Sequence, residues 1–314
     1  GLRHGRMALS PWNFYRGAAA LMAMDLAALP RTDLEVQLCG DAHVLNFGLW
    51  ATPERNLSFD LRDFDETLPG PFEWDVARLA ASLVVLSRHS GLDDSVGLDA
   101  VERTVAAYSD RMATYAASGQ MEVWYDLVDV DWLLGHFDDE WRSGIAAMIE
   151  RKSTTRTSQG AFAKLTEVAD GRRRIAENPP KLHHFEELFE RYAATLRQDR
   201  RHCLRQFQFV DVARQVVGVG SVGMRVALLL LEDRTGEPLF LQVKQAGPSV
   251  YERHLAPSTY TNHGARVING KRLLQSATAM FVGWTSFQGA DYYVRQFRDM
   301  KIIPDSERLA PVLG

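Results

Sequence analysis

The sequence predicts an α+β protein of two lobes, a mainly helical one over residues 1–200 and a sheet-rich one over residues 201–314. Three observations lead there. The chain has 314 residues, and at roughly 100–200 residues per domain that suggests two packed units. Apolar residues recur at helical spacing through much of the first part. Near residue 200 the period shortens to strand-like runs joined by Gly- and Asp-bearing turns.

In chain order, Ser10-Pro-Trp-Asn13 opens a helix whose spacing covers Phe14–Leu29. Leu34–Leu38 alternates and predicts a short strand ending at Gly40-Asp41, and a second strand covers Leu57–Asp63 after the Pro53-Glu-Arg-Asn56 turn. Helical spacing returns at Asp75–His89, Leu98–Ser118 and Trp141–Glu150, while Lys152–Arg174 is polar and reads as a loop or hinge. Phe185–Arg200 is an amphipathic helix. Val210–Gly218, Met224–Glu232 and Leu239–Lys244 then read as strands, Asn262–Ala277 as helix, and Met280–Thr285 and Tyr292–Phe297 as two more strands.

Composition excludes several function classes. Hydrophobic residues make up 46% and charged ones 24%, which is globular rather than disordered or fibrous. Lys and Arg number 36 against 40 Asp and Glu, a net charge of -4, so no bulk positive field attracts nucleic acid. The two cysteines, Cys39 and Cys203, are too few for a disulfide framework, and a reducing, cytoplasmic setting is expected. No apolar run approaches the roughly 20 residues that span a bilayer, so no membrane partner is expected. Oligomeric state is not readable from these residues.

The first chemical signal is Cys39-Gly-Asp-Ala-His-Val-Leu-Asn46. An Asp and an Asn on one tight loop can serve one reaction, the Asp accepting a proton from a hydroxyl and the Asn oxygen binding a divalent metal. The competing reading is an Asx turn satisfied by backbone amides. The second signal is Asp63-Phe-Asp-Glu66, a carboxylate-rich strand end that supplies hard oxygen ligands suited to Mg²⁺. Asp75, after Gly70-Pro-Phe-Glu-Trp, stands where it can cap a helix. The third is Val217-Gly-Val-Gly-Ser-Val-Gly223. A dinucleotide-binding reading needs a helix directly after these glycines. The text after them instead reads strand, Asp233-Arg-Thr-Gly turn, strand, closing on Lys244. Glycines let a backbone approach phosphates closely, and a strand lysine adds a point charge. Asp129, Asp131, His136, Asp138, Asp139 and Glu140 read as a solvated helix terminus, and Arg172-Arg-Arg174 as an exposed loop. Arg16 and Arg78 are candidate partners for the loop carboxylates.

Together the segments resemble the catalytic half of kinase-like phosphotransferases, above all aminoglycoside phosphotransferases and choline kinases. That pattern is His-Gly-Asp-x-His-x-x-Asn, then a hydrophobic-Asp-Phe/Trp strand, then Gly-x-Pro and a helix opening Asp-Leu-Ala. Here the matching text is Cys39 to Asn46, Arg62-Asp63-Phe64, Gly70-Pro71 and Asp75-Val76-Ala77, with Cys39 in the place of the usual His. The resemblance implies Asp41 as catalytic base, Asn46, Asp63 and Asp65 as metal ligands, and His43 and Asp75 as structural support. It implies Gly218, Gly220, Ser221 and Gly223 over a nucleotide, with Lys244 on its phosphates and Glu252 as the only carboxylate between Lys244 and Asp291 able to pair with it. ATP and Mg²⁺ follow as cofactors, and the acceptor is an unidentified hydroxyl of a small molecule or a protein.

In ordinary kinases the glycine loop and lysine come first, whereas here Asp41 and Asp63 precede Gly218–Lys244, so the resemblance implies a circularly permuted two-lobed fold. The order resembles that of DUF2252, a bacterial family of unknown function assigned to the kinase-like superfamily. Met7–Gly17, Gly40–Gly48, Asp63–Glu66, Val217–Gly223, Leu241–Lys244, Arg266–Arg272 and Tyr293–Lys301 carry that likeness. Members continue into a helix with an Ala-His-Ala-Arg stretch, so the resemblance reads these residues as a fragment or a chain with disordered ends. Two alternatives accompany the phosphotransferase: a nucleotide-binding pseudokinase, since the usual Lys-Glu-Ala is Lys244-Gln-Ala246 here, and an enzyme transferring AMP.

Overall fold

The computed structural model describes residues 2–155, 165–169, 172–175, 185–214, 224–297 and 302, and it is an α+β arrangement of helices and antiparallel sheets. The chain opens with α1 (Leu2–Met7), α2 (Pro11–Gly17) and α3 (Ala19–Ala27). The helix predicted over Phe14–Leu29 is thus two helices. The chain leaves helical geometry at Ala18 (φ -108°, ψ 32°), and Met7 packs where a side chain on Gly17 would stand.

Four short strands follow: β1 (Glu35–Leu38), β2 (Phe47–Ala51), β3 (Leu57–Leu61) and β4 (Leu68–Pro71). β2 pairs with β3, and β1 pairs with β4, both antiparallel. β4 reads Leu-Pro-Gly-Pro, a stretch in which the sequence pattern predicts no strand. Prolines lack an N–H but are tolerated in a two-stranded ladder, where each strand needs only one bonded edge. Helices α4 (Glu73–His89), α5 (Asp94–Ala117), α6 (Gln120–Tyr125), α7 (Val130–Leu134) and α8 (Asp139–Thr155) come next. Asp129 caps α7 by accepting from the Trp132 amide at 2.7 Å, which gives that acidic stretch its helix-terminus role. Among the described residues no helix is long and apolar enough to cross a membrane.

The polar stretch expected as a hinge instead carries the end of α8 and a hairpin, β5 (Thr166–Ala169) with β6 (Arg172–Ile175). α9 (Phe185–Ala194) and α10 (Gln198–Leu204) lead into β7 (Phe207–Arg214), β8 (Val226–Asp233) and β9 (Pro238–Ala246), then α11 (His263–Leu274), β10 (Gly283–Phe287) and β11 (Ala290–Gln296). β7 to β11 form one antiparallel sheet in the order β10-β11-β9-β8-β7. Because β8 is a strand, the helix that a dinucleotide fold requires after the glycines is not there. The glycine-rich loop itself, with Gly218, Gly220, Ser221 and Gly223, lies outside the described residues.

Strand alternation gives this sheet two unlike faces. One buries Leu229, Leu231, Leu241, Val243 and Val294 against Leu188, Tyr192 and Leu204, so helical residues numbered below 200 share the sheet's core. On the other face the register sets Tyr293 beside Lys244 and Arg295 beside Gln242. That polar strip is bounded by two apolar clusters. Phe240, Leu228 and Leu230 pack with Ile175 and Ala213 on one side, and Tyr293 and Ala246 with Phe64, Val267, Ile268 and Val282 on the other.

Candidate functional site

Phe64, 2% exposed, sits in the second of those clusters. Burying its ring docks the Asp63–Glu66 loop on the polar strip and brings the flanking carboxylates to the sheet's cations. Asp65 receives both neighbours: Lys244 donates to Oδ2, and the Tyr293 hydroxyl donates to Oδ1 at 2.7 Å. Burial alone would lower the Lys244 ammonium, but Asp65, then Tyr293 and Asp63, outweigh it and hold it well above its ordinary value. Burial would raise the Asp63 carboxyl, yet Lys244, then Arg295 and Arg62, hold it well below the usual carboxylate range.

The carboxylate partner of Lys244 is therefore Asp65 and not Glu252. Glu252 Oε1 accepts from the Ser249 amide at 3.0 Å, within a capping box, and stands 3.8 Å from Arg266 Nε. The reason is local: Ser249 opens a helical turn, and a Glu three residues on is drawn back to that turn's free amide. Asp65, expected as a metal ligand, has both oxygens engaged, which leaves Asn46 and Asp63 as the candidate ligands.

Arg266 on α11 clamps the same region. Its guanidinium donates to the carbonyls of Thr67 (2.6 Å), Asp65 (2.7 Å) and Gly247 (2.8 Å) while 2% exposed. Arg266 lay within a quoted motif, yet no feature of the sequence marked the carbonyls it would meet.

The Asp41 loop is held from two directions. Asp75, in the first turn of α4, accepts from the amides of Cys39 (2.6 Å) and Gly40 (2.9 Å) rather than capping its own helix. Burial pushes its carboxyl up to about 6, with the Gly40 and Cys39 amides opposing. Gly40 has φ +84°, and an added Cβ would collide with the Glu66 carbonyl, so glycine alone fits where the two loops meet. The Cys39 thiol donates to the Asp63 carbonyl at 3.2 Å, which ties the start of the Asp41 loop to the acidic loop.

Arg78 donates to Asp41 Oδ1 from Nε (3.0 Å) and Nη2 (2.7 Å), and its guanidinium lies 4.1 Å from the centre of the Tyr15 ring. The Asp41 side chain remains 20% exposed. Burial raises its carboxyl, with Arg78 opposing. His43 Nε2 is 3.8 Å from Asp41 Oδ2, and its Nδ1 is buried without a hydrogen-bond partner. Burial, then Arg78, Arg16 and Arg62, push that imidazole down to about 3, so it is neutral near pH 7. The Asn46 amide nitrogen donates to the Asp41 carbonyl, and its oxygen has no hydrogen bond among the described residues. Arg62 N–H donates to the Asn46 carbonyl at 2.9 Å, so the β2–β3 ladder brings Asn46 to the strand end that carries Asp63.

An amide oxygen and an ionised carboxylate are hard donors suited to Mg²⁺, which takes few protein ligands and completes its shell with water and phosphate. Among the described residues no group of three or more His, Cys, Asp or Glu is arranged to hold a metal, so zinc-type sites find no support there.

No curated protein and no solved structure matches the chain. A family profile described as an uncharacterized protein conserved in bacteria matches residues 1–312. The chain belongs to that family, DUF2252.

Proposed function

We propose that this protein is an ATP- and Mg²⁺-dependent phosphotransferase with a circularly permuted, two-lobed kinase-like fold, acting on a hydroxyl of a small molecule or a protein. The observation that carries the reading is the docking of the Asp63-Phe-Asp loop onto the strand lysine, with Lys244 paired to Asp65. A chain that kept Lys244 away from that loop would have had no phosphate site in common between its halves. Asp41 is the acceptor-facing base: partly exposed, raised by burial, and fixed by Arg78 so that one oxygen stays oriented. Asn46 and Asp63 would hold the metal, whose chemistry is to neutralise charge developing on the phosphates. Lys244 would exchange part of its contact with Asp65 for phosphate oxygens.

The Lys244–Asp65 pair also favours a second reading, a nucleotide binder without transfer, because the lysine's charge already has a counter-ion. Thermal stability with ATP, in Mg²⁺ and in chelator, tests the first reading. Ligand linkage gives about 2.7 kcal/mol of stabilisation at 100-fold excess over Kd. Asp63→Asn should remove most of the metal dependence, and Asp41→Asn should keep binding while suppressing transfer. Equal stabilisation with and without Mg²⁺ would refute the metal assignment. Label from the γ-phosphate of ATP reaching an acceptor would separate phosphoryl transfer from AMP transfer, which carries the α-label.

A further inference from the structure

Beside Asp63 the molecule opens a recess that the proposed chemistry does not use. It holds about 50 Å³ and opens to solvent, and its lining includes Trp50, Arg62, Lys271, Gln275 and Arg295. Three cations thus converge from separate elements: Arg62 just past β3, Lys271 on α11 and Arg295 on β11. Among the described residues none of the three has a carboxylate within ion-pair distance. Arg295 donates from Nε to Gln242 at 3.0 Å, which leaves its terminal nitrogens uncommitted.

The nearest acidic groups have other partners. Asp60 accepts from the Ser276 amide and hydroxyl, both at 2.9 Å, and from the Leu61 amide at 2.7 Å. Asp63 faces Lys244 as well as Arg295 and Arg62. With Lys244 and Asp65 cancelling, Arg62, Lys271 and Arg295 stand against Asp60 and Asp63, an excess of one positive charge around one hollow. Gathering like charges in a partly dry recess is costly unless an anion enters. Burial, then Arg295, lowers the Lys271 amine to about 8, with Asp60 and Asp63 opposing only in part, while Tyr293, Asp63 and Asp65 hold Arg295 above its ordinary value. Arginine forks match the oxygens of a phosphate in pairs, and a lysine adds a point charge. Trp50 has its indole N–H engaged by the Asp60 carbonyl at 3.2 Å, so it offers the recess apolar ring surface.

We infer that Arg62, Lys271 and Arg295 form a phosphate subsite next to Asp63. Binding of the anion needs neither metal nor nucleotide; only the phosphate's source rests on the phosphotransferase reading, being either a phosphorylated acceptor or the nucleotide's own tail.

The test is titration of the purified chain with inorganic phosphate in chelator, followed by calorimetry and melting temperature, with chloride at matched ionic strength as control. Saturable binding that chloride does not reproduce is expected. Lys271→Gln and Arg295→Gln should each weaken it at least tenfold, and Lys271→Arg should restore part of it. Melting in chloride identifies any variant that fails to fold, and Lys271→Gln, near the end of a helix, is the safer of the two. No saturable phosphate binding by the folded chain, or unchanged affinity in folded Lys271→Gln, overturns the subsite. Repeating the titration with Mg²⁺ and ATP finds the source: competition assigns the phosphate to the nucleotide, and simultaneous binding assigns it to the acceptor, the subsite standing in both cases. If phosphate binds but ATP never does, the phosphotransferase reading fails and the subsite stands. If ATP binds with Mg²⁺ and phosphate alone does not, the subsite alone fails.

Discussion

Replacing Lys244 by methionine keeps the length of the stem and removes the charge, leaving Asp65 with only the Tyr293 hydroxyl as partner. The Lys244 side chain is 6% exposed and that of Asp65 23%. Removing one member of a fully buried pair costs about 3–5 kcal/mol because the other charge is left uncompensated. The partial exposure of Asp65 and its bond to Tyr293 bring the expectation for Lys244→Met to about 2–4 kcal/mol. Asp65→Asn strands the more deeply buried partner but leaves Asp63 facing it, so about 2–3 kcal/mol is expected. The double variant should lose less than the sum, with a coupling of about 1–3 kcal/mol. Equilibrium urea unfolding followed by tryptophan fluorescence reads all four corners of the cycle. A coupling below about 0.5 kcal/mol would refute the claim that this pair joins the acidic loop to the sheet.

Two further outcomes follow from the same region. Burial, opposed by the Val250 amide and reinforced by Asp65, pushes the Glu66 carboxyl from 4.5 up to about 7. The folded state therefore holds a proton that the unfolded state releases, so this stability is full below 4.5 and is lost as pH rises through about 7. Subtracting Glu66→Gln from the parent in urea unfolding at pH 4.5 and pH 8 should reveal a loss of about 3 kcal/mol that the variant lacks; parallel curves would remove the assignment. Gly40→Ala should destabilise by about 2–3 kcal/mol, from the positive φ and the collision with the Glu66 carbonyl, and an unchanged urea midpoint would contradict the close approach.

What the sequence revealed and what it hid separate by range. The Cys39–Asn46 and Asp63–Glu66 motifs were legible because their spacing is local, and the strand ending in Lys244 because its apolar run is continuous. Asp75 was legible as a brace only through resemblance; its own position argued for a helix cap, and the amides it meets lie 35 and 36 residues earlier. The partner of Lys244 was hidden because Asp65 is 179 residues away, whereas Glu252 stands only eight residues beyond the lysine. β4 was missed because two prolines and a glycine imitate a turn, although pairing with β1 on a single edge admits them. Arg62, Lys271 and Arg295 lie far apart in the sequence, each inside a separate segment, and only folding puts them around one hollow.

The clamp of Arg266 on the carbonyls of Asp65 and Thr67 spans 201 and 199 residues of chain. During synthesis at roughly 5–20 residues per second, the acidic loop leaves the ribosome on the order of 10–40 s before the arginine that holds it. In that interval Phe64 has none of its sheet partners, and Asp63 and Asp65 repel one another with no lysine between them. The order of the chain thus separates the making of the Asp41 loop from the making of the strands that hold the acidic loop, so a nascent or truncated chain lacking β11 would carry the Asp41 loop without Tyr293 and Arg295. Such a chain would leave the Phe64 ring without the Tyr293 contact that helps bury it, so the acidic loop gains its full seat only once β11 is in place.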